Sequence, residues 1–259
     1  MLYNVYFSAK GTTAFCAEYI GKRLGMESIT YQWLEAACGE PPAMTGGDAL
    51  LFSMPVYGGY IPQSCFHRAS KLKGADTPAV IAAVYGNRHY DNALLQMKDL
   101  LTAQGFRVIA AGAFLAEHSV FPTVAAGRPD EKDRAAMAAF AETCAGLLQE
   151  DVHHYGEIAL PGAAGYDSLS FRGLPFHPDG AETCVGCGAC AAVCPQGAIR
   201  GEEPRKTDGQ RCISCGACIK ACPVGARDYH DASYEHVRAD FEKRNAAYRT
   251  PEVFYAARR

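Results

Sequence analysis

Twelve cysteines are present in the 259 residues, and their placement is uneven: Cys16, Cys38, Cys65 and Cys144 are scattered, while eight lie between positions 184 and 222. The eight repeat one pattern. Cys184, Cys187, Cys190 and Cys194 are followed by Pro195, and Cys212, Cys215, Cys218 and Cys222 by Pro223, with the same spacing in both runs. Three thiolates at three-residue steps let one tight loop hold three iron corners of a cubane cluster, with the fourth ligand drawn from elsewhere. Gly186, Gly188 and Gly216 lie in these loops, where a missing side chain allows positive φ and a close backbone approach to cluster sulfur. Structural zinc also uses paired cysteines, but four ligands from two pairs would leave the third cysteine, the longer last step and the proline without purpose. Disulfides belong mainly to oxidising compartments and to chains too small to bury a core. The spacing therefore points to two [4Fe-4S] clusters.

A second set of candidate residues follows apolar runs in the first 120 positions. Residues 2–7 lead into Ser8, Lys10, Gly11, Thr12 and Thr13, which offer hydroxyls, a cation and backbone N–H groups to an anion at a helix N-terminus. Residues 49–54 lead into Pro55, Val56, Tyr57, Gly58 and Gly59, and residues 79–85 into Tyr85, Gly86, Asn87, Arg88, Tyr90 and Asp91. Glycines allow close approach there, and the tyrosines can cover a flat ring. His118 follows the last apolar run, at the same edge if these runs are parallel strands.

The elements that must position these loops alternate. Residues 2–7, 28–34, 49–54, 79–85 and 108–116 read as strands. Between them, 12–24 has apolar side chains at three- and four-residue steps, 91–104 is a helix with Asp91 as its N-cap and Gly105 ending it, and 130–150 closes the domain. This predicts an α/β doubly wound parallel five-stranded sheet, in which ligands bind beyond the carboxyl ends of the strands. Residues 161–178 mix Pro and Gly with Tyr166, Leu169, Phe171, Leu174 and Phe176, the composition of a packed connector. Residues 232–248 read as a polar helix, and Val253, Phe254 and Tyr255 as an apolar group able to dock on the first domain. The divisions expected are 1–160, 161–178, 179–230 and 231–259. No GxGxxG fingerprint follows a strand. The formal charge of −3 argues against a nucleic-acid partner, and no basic leader or long apolar run argues for a membrane, so a cytoplasmic protein is expected.

The stretch from 183 to 227 resembles two-cluster bacterial ferredoxins, in which the fourth cysteine of each run ligates the other cluster. That resemblance implies Cys184, Cys187, Cys190 and Cys222 at one cluster, Cys212, Cys215, Cys218 and Cys194 at the other, and an α+β ferredoxin-like domain. The first 150 residues resemble flavodoxins, in which the first loop holds the phosphate of FMN and the two later loops flank its isoalloxazine. The usual Thr-x-Thr-Gly-Asn-Thr loop is altered here, with Lys10 at the second Thr and Thr12 at the Asn. The whole order is similar to flavodoxin-ferredoxin fusion proteins of anaerobic bacteria and archaea. It implies electron transfer between FMN and a redox partner, a ferredoxin or a reductase, by a single chain or a homodimer. A flavoenzyme acting on a small-molecule acceptor, and a sensor of oxygen or iron, are the alternatives.

Overall fold

The computed structural model describes residues 1–35, 38–163, 165 and 173–259. Tyr166, Leu169 and Phe171 of the expected connector lie outside the described residues.

Five parallel strands form as expected, in the order β2-β1-β3-β4-β5. They are β1 (Leu2–Tyr6), β2 (Ser28–Gln32), β3 (Ala49–Pro55), β4 (Thr77–Tyr85) and β5 (Phe106–Leu115). This is the flavodoxin-like order, whose switch point lies between β1 and β3. Every residue of β3 and β4 is buried, which explains their unbroken apolar sequences: a central parallel strand is covered on both faces. The edge strand β2 is exposed over its first three residues and accordingly carries Ser28 and Thr30.

Helices α1 (Thr12–Gly21), α2 (Gln63–Ala69), α3 (Ala93–Ala103) and α4 (Glu131–Leu147) connect the strands. Helix α2 has no counterpart in the sequence reading, since seven residues are too few to show a period. The N-cap of α3 is Asn92, not Asp91, which instead has φ 40° and accepts a hydrogen bond from Arg88. The N-cap of α4 is Asp130, in a capping box with Asp133: the Asp133 N–H donates to Asp130 Oδ1 at 3.0 Å, and the Asp130 N–H to Asp133 Oδ2 at 2.9 Å. Asp133 is fully buried and also takes the fork of the buried Arg128, so charge and cap are satisfied together.

The C-terminal half is built around the cysteine runs. Short helices α5 (Ala189–Ala192) and α6 (Ala217–Ala221) follow the first loops of the two runs, and β6 (Asp179–Gly180) pairs antiparallel with β7 (Arg227–Asp228). The duplication extends to the backbone. Gly188 and Gly216 are left-handed caps of their helices, at φ 74° and 75°. The N–H groups of Ala198 and Ala226, each four residues past a fourth cysteine, donate to Cys194 and Cys222 Sγ, both at 3.2 Å.

The chain then returns to the sheet. After α7 (Ala232–Arg244), β8 (Glu252–Tyr255) pairs antiparallel with β5, so the sheet has six strands and not five. Asn87 Nδ2 donates to the carbonyls of Asn245 and Ala247, both at 2.8 Å, and the Tyr90 hydroxyl to Glu252 Oε2 at 2.8 Å. Val120, Phe121, Val124, Phe176, Tyr229 and Tyr234 form a second apolar core from a sheet loop, the connector, the cysteine domain and α7. Cys215 and Ala217 pack into the main core. Among the described residues no helix is long and apolar enough to cross a membrane.

Candidate functional site

The carboxyl ends of β1, β3, β4 and β5 deliver four loops to one place, as the parallel register requires. A cavity of about 220 Å³ there is lined by Val56, Tyr57, Gly58, Gly59, Gly86, Arg88 and His118 from the sheet side. A smaller one, about 50 Å³, runs to Lys10, Thr12 and Thr13 at the start of α1. The two share Val56, Tyr57, Gly86, His118 and Ser119, so they form one elongated site with a hydroxyl and cation end and an aromatic end.

Each loop has a local cause. Ser8 Oγ accepts from the N–H groups of Gly11 and Ala14, at 3.2 and 3.0 Å, and so shapes the first loop. Gly11, at φ 101°, caps α1, and a Cβ there would stand 2.9 Å from Lys220 Nζ. Thr12 and Thr13, whose N–H groups open α1 and have no carbonyl one turn back, line the narrow end. In the second loop the N–H of Tyr57 donates to Tyr60 O at 2.8 Å and that of Tyr60 to Tyr57 O at 3.2 Å. Gly58 and Gly59 are the central pair of this turn at φ 61° and 93°, which residues with a Cβ resist.

His118 has a fixed tautomer. Its Nδ1 accepts from the N–H groups of Val120 and Phe121, at 3.2 and 3.0 Å, leaving Nε2 as the donor. Burial first, then Arg88 and Lys10, lower its pKa to about 4. The unfolded chain therefore binds a proton on this side chain between about pH 6.5 and 4 that the folded chain does not, and stability falls as pH falls through that window. His118→Gln is expected to flatten this part of the stability profile, by no more than about 3 kcal/mol in all. Urea titrations at pH 7 and pH 4.5 check it, and an unchanged difference between the two would remove His118 as its source.

Not all the residues read from sequence converge. Pro55, Val56, Tyr57, Tyr85, Gly86 and His118 line the site with Lys10, Thr12 and Thr13. Ser8 and Gly11 support it from behind. Tyr90 is directed into the core against Tyr85 and does not line it, because Glu252 of β8 holds its hydroxyl. Asn87 faces the C-terminal segment, and Asp91 sits against Gly59, where a Cβ would meet its carboxylate at 2.5 Å. Contributors that the sequence reading missed include Ile213 and Ser214 of the second cysteine loop, and Val237 and Phe241 of α7. Tyr234, Val237 and Phe241 recur at three and four residues in an otherwise polar helix, which is the signal that marks its inner face.

The second cysteine run closes the site. Cys215 lines the narrow cavity opposite Tyr57, and burial, then Cys215, pushes the Tyr57 phenol well above its ordinary value. On its other side, a separate cavity is lined by Cys212, Cys215, Cys218 and Cys194. Burial raises the thiols of Cys212, Cys215 and Cys218, and neighbouring Cys194 adds to it in each case. Such thiols ionise against a metal more readily than against water. The Tyr229 hydroxyl is buried without a partner among the described residues and is raised by burial, then by Cys212, Cys215 and Cys218, so an unused donor lies near these thiols. Four thiols and a spare donor suit a cubane with basic sulfides. Among the described residues no group of three or more His, Cys, Asp or Glu side chains converges on a point that would hold a single metal ion.

Residues 183–226 match the family described as the 4Fe-4S dicluster domain. Among solved structures, a flavodoxin from Streptococcus pneumonia TIGR4 is similar at 16% identity, covering 57% of this chain and 99% of that one with a TM-score of 0.40. Oxidised Flavodoxin 2 from Bacillus cereus is 14% identical over 57% of this chain and 99% of its own, with a TM-score of 0.42. A flavodoxin from the domain Archaea is 13% identical over 58% and 100%, with a TM-score of 0.38. The strand order and the matched cysteine domain together describe a flavodoxin-like α/β sheet followed by a 4Fe-4S dicluster domain.

Proposed function

We propose that the chain is an electron-transfer iron-sulfur flavoprotein that relays electrons between a redox protein, a ferredoxin or a reductase, and FMN through two [4Fe-4S] clusters. The observation that carries this reading is the shared lining of the site: sheet loops supply Tyr57, Gly86 and His118, and the second cysteine loop supplies Ile213, Ser214 and Cys215. A flavin supplies the ability to exchange electrons singly or in pairs, whereas each cluster exchanges one. Lys10, Thr12 and Thr13 would hold the phosphate at the start of α1, and Tyr57, His118 and Phe241 would border the ring. His118 would present Nε2–H as a neutral donor.

Within the cysteine domain the two clusters differ in access. Cys187 is exposed, as are Val185 at 64% and Val224 at 49%, and of its set only Cys190 is buried, while both Cys215 and Cys218 are buried in the other. This supports a redox protein meeting the Cys184, Cys187, Cys190 and Cys222 cluster, and the other cluster facing the flavin. Ile213, Val237 and Phe241 line the aromatic end of the cavity together with Tyr57 and His118.

The test is flavin binding to the anaerobically reconstituted chain, followed by fluorescence quenching. Thr13→Ala is expected to weaken FMN by about 1.5–3 kcal/mol, the value of a hydrogen bond to a charged group, or about 10- to 150-fold in Kd. Equal affinity for riboflavin and FMN in the parent chain would overturn the phosphate site.

A further inference from the structure

Arg227, in β7, is 2% exposed, and among the described residues none of its acceptors is a carboxylate. Its guanidinium donates to the carbonyls of Pro178 and Pro204, to Thr207 Oγ1, and to Cys190 Sγ at 3.7 Å. Nε is buried and has no partner. A buried cation without an anion is costly, and proteins normally supply one. Arg128, the other buried arginine among the described residues, has Asp133.

The anions available to Arg227 are thiolates of both cysteine runs. Cys190 belongs to the set Cys184, Cys187, Cys190 and Cys222, and the guanidinium touches it directly. Cys218, a packing neighbour of Cys190, belongs to the other set. Cys190 and Cys218 pack in one small apolar cluster with Ile199, where screening by water is weak. We infer that Arg227 is the shared counter-charge of the two cluster sites, a positioning residue that favours the reduced form of each.

The physical reason is that each cluster with its four thiolates gains one negative charge when it takes up an electron. A fixed cation in a low-dielectric setting stabilises the reduced form more than the oxidised one. The inference rests on the two-cluster reading of these cysteines.

The experiment is a redox titration of the full chain, reconstituted anaerobically and followed by electron paramagnetic resonance, with iron and sulfide counted first. A parent chain holding no iron would reject the cluster reading itself, separately from Arg227. Arg227→Gln is expected to make both clusters harder to reduce by at least about tenfold in the ratio of reduced to oxidised form, which for one electron is about 59 mV. Arg227→Lys, which keeps the charge, is expected to restore most of it. Full cluster content with both midpoints unchanged in the Gln chain would overturn the inference. So would an equal negative shift in the Gln and Lys chains, which would indicate a packing role alone. Should the Gln chain fail to hold its clusters, Thr207→Asp places a carboxylate on the same guanidinium. A negative shift is expected there, and unchanged midpoints would overturn the proposal.

Discussion

Replacing Cys194 by Ala is expected to remove the cluster of the other cysteine run, leaving the cluster of its own run in place. Cys194 follows Cys184, Cys187 and Cys190 in sequence, yet it borders one cavity with Cys212, Cys215 and Cys218. The Ala198 N–H that donates to its sulfur fixes that direction. A chain with two complete sites holds about eight irons, and this variant should hold about four. The loss is expected to match that of Cys215→Ala in spectrum as well as in number, whereas Cys187→Ala should remove the complementary half. Because a small domain has little core of its own to replace metal ligation, each variant should also unfold its cysteine domain more readily. Iron and sulfide analysis with electron paramagnetic resonance of the three reduced variants decides it. If Cys194→Ala and Cys187→Ala lose the same signal, each run ligates its own cluster and the assignment across runs is wrong.

The second large effect is on coupling. Flavin reduction by a ferredoxin-type donor is expected to proceed at a rate independent of protein concentration, and to be lost in Cys194→Ala while FMN remains bound. Both partners in the step are contributed by one chain: Cys215 lies on the wall of the cavity that Tyr57 and His118 also line. The halves are held in that arrangement by the aromatic core of Phe121, Phe176, Tyr229 and Tyr234, with Tyr229 and Tyr234 stacked at 4.7 Å. The Lys220 ammonium, which donates to Lys10 O at 3.1 Å, ties the cysteine domain to the first loop. Fusion with a fixed geometry replaces a bimolecular encounter by an effective concentration. Rapid mixing over a wide dilution range checks this. A rate proportional to protein concentration would mean that transfer runs between chains.

Much of the fold was legible because each strong signal is local. The unbroken apolar runs of β3 and β4 mark strands covered on both faces, and the two cysteine runs fix their ligand loops through spacing alone. Gly58-Gly59 specified a turn because two successive positive φ values exclude most other residues. Asp91 was misplaced as a cap because the competing partner, Arg88, is visible only once the loop is folded.

The order of side chains along the sequence thus determined the chemistry: two quartets of cysteine, a hydroxyl and lysine loop at a helix start, and aromatic loops at strand ends. Tertiary structure decided which groups meet. It turned Tyr90 away to Glu252, brought Val237 and Phe241 of a polar helix over the cavity, added β8 to the edge of β5, and set Cys215 beside Tyr57. It also set the Arg227 guanidinium against Cys190 Sγ, with no carboxylate among its acceptors in the described residues. Spacing encodes contacts within a turn or two of backbone, because there the geometry of the chain itself sets the distances. Contacts between residues more than a hundred positions apart depend on how two separately folded surfaces pack, and no local pattern carries that information.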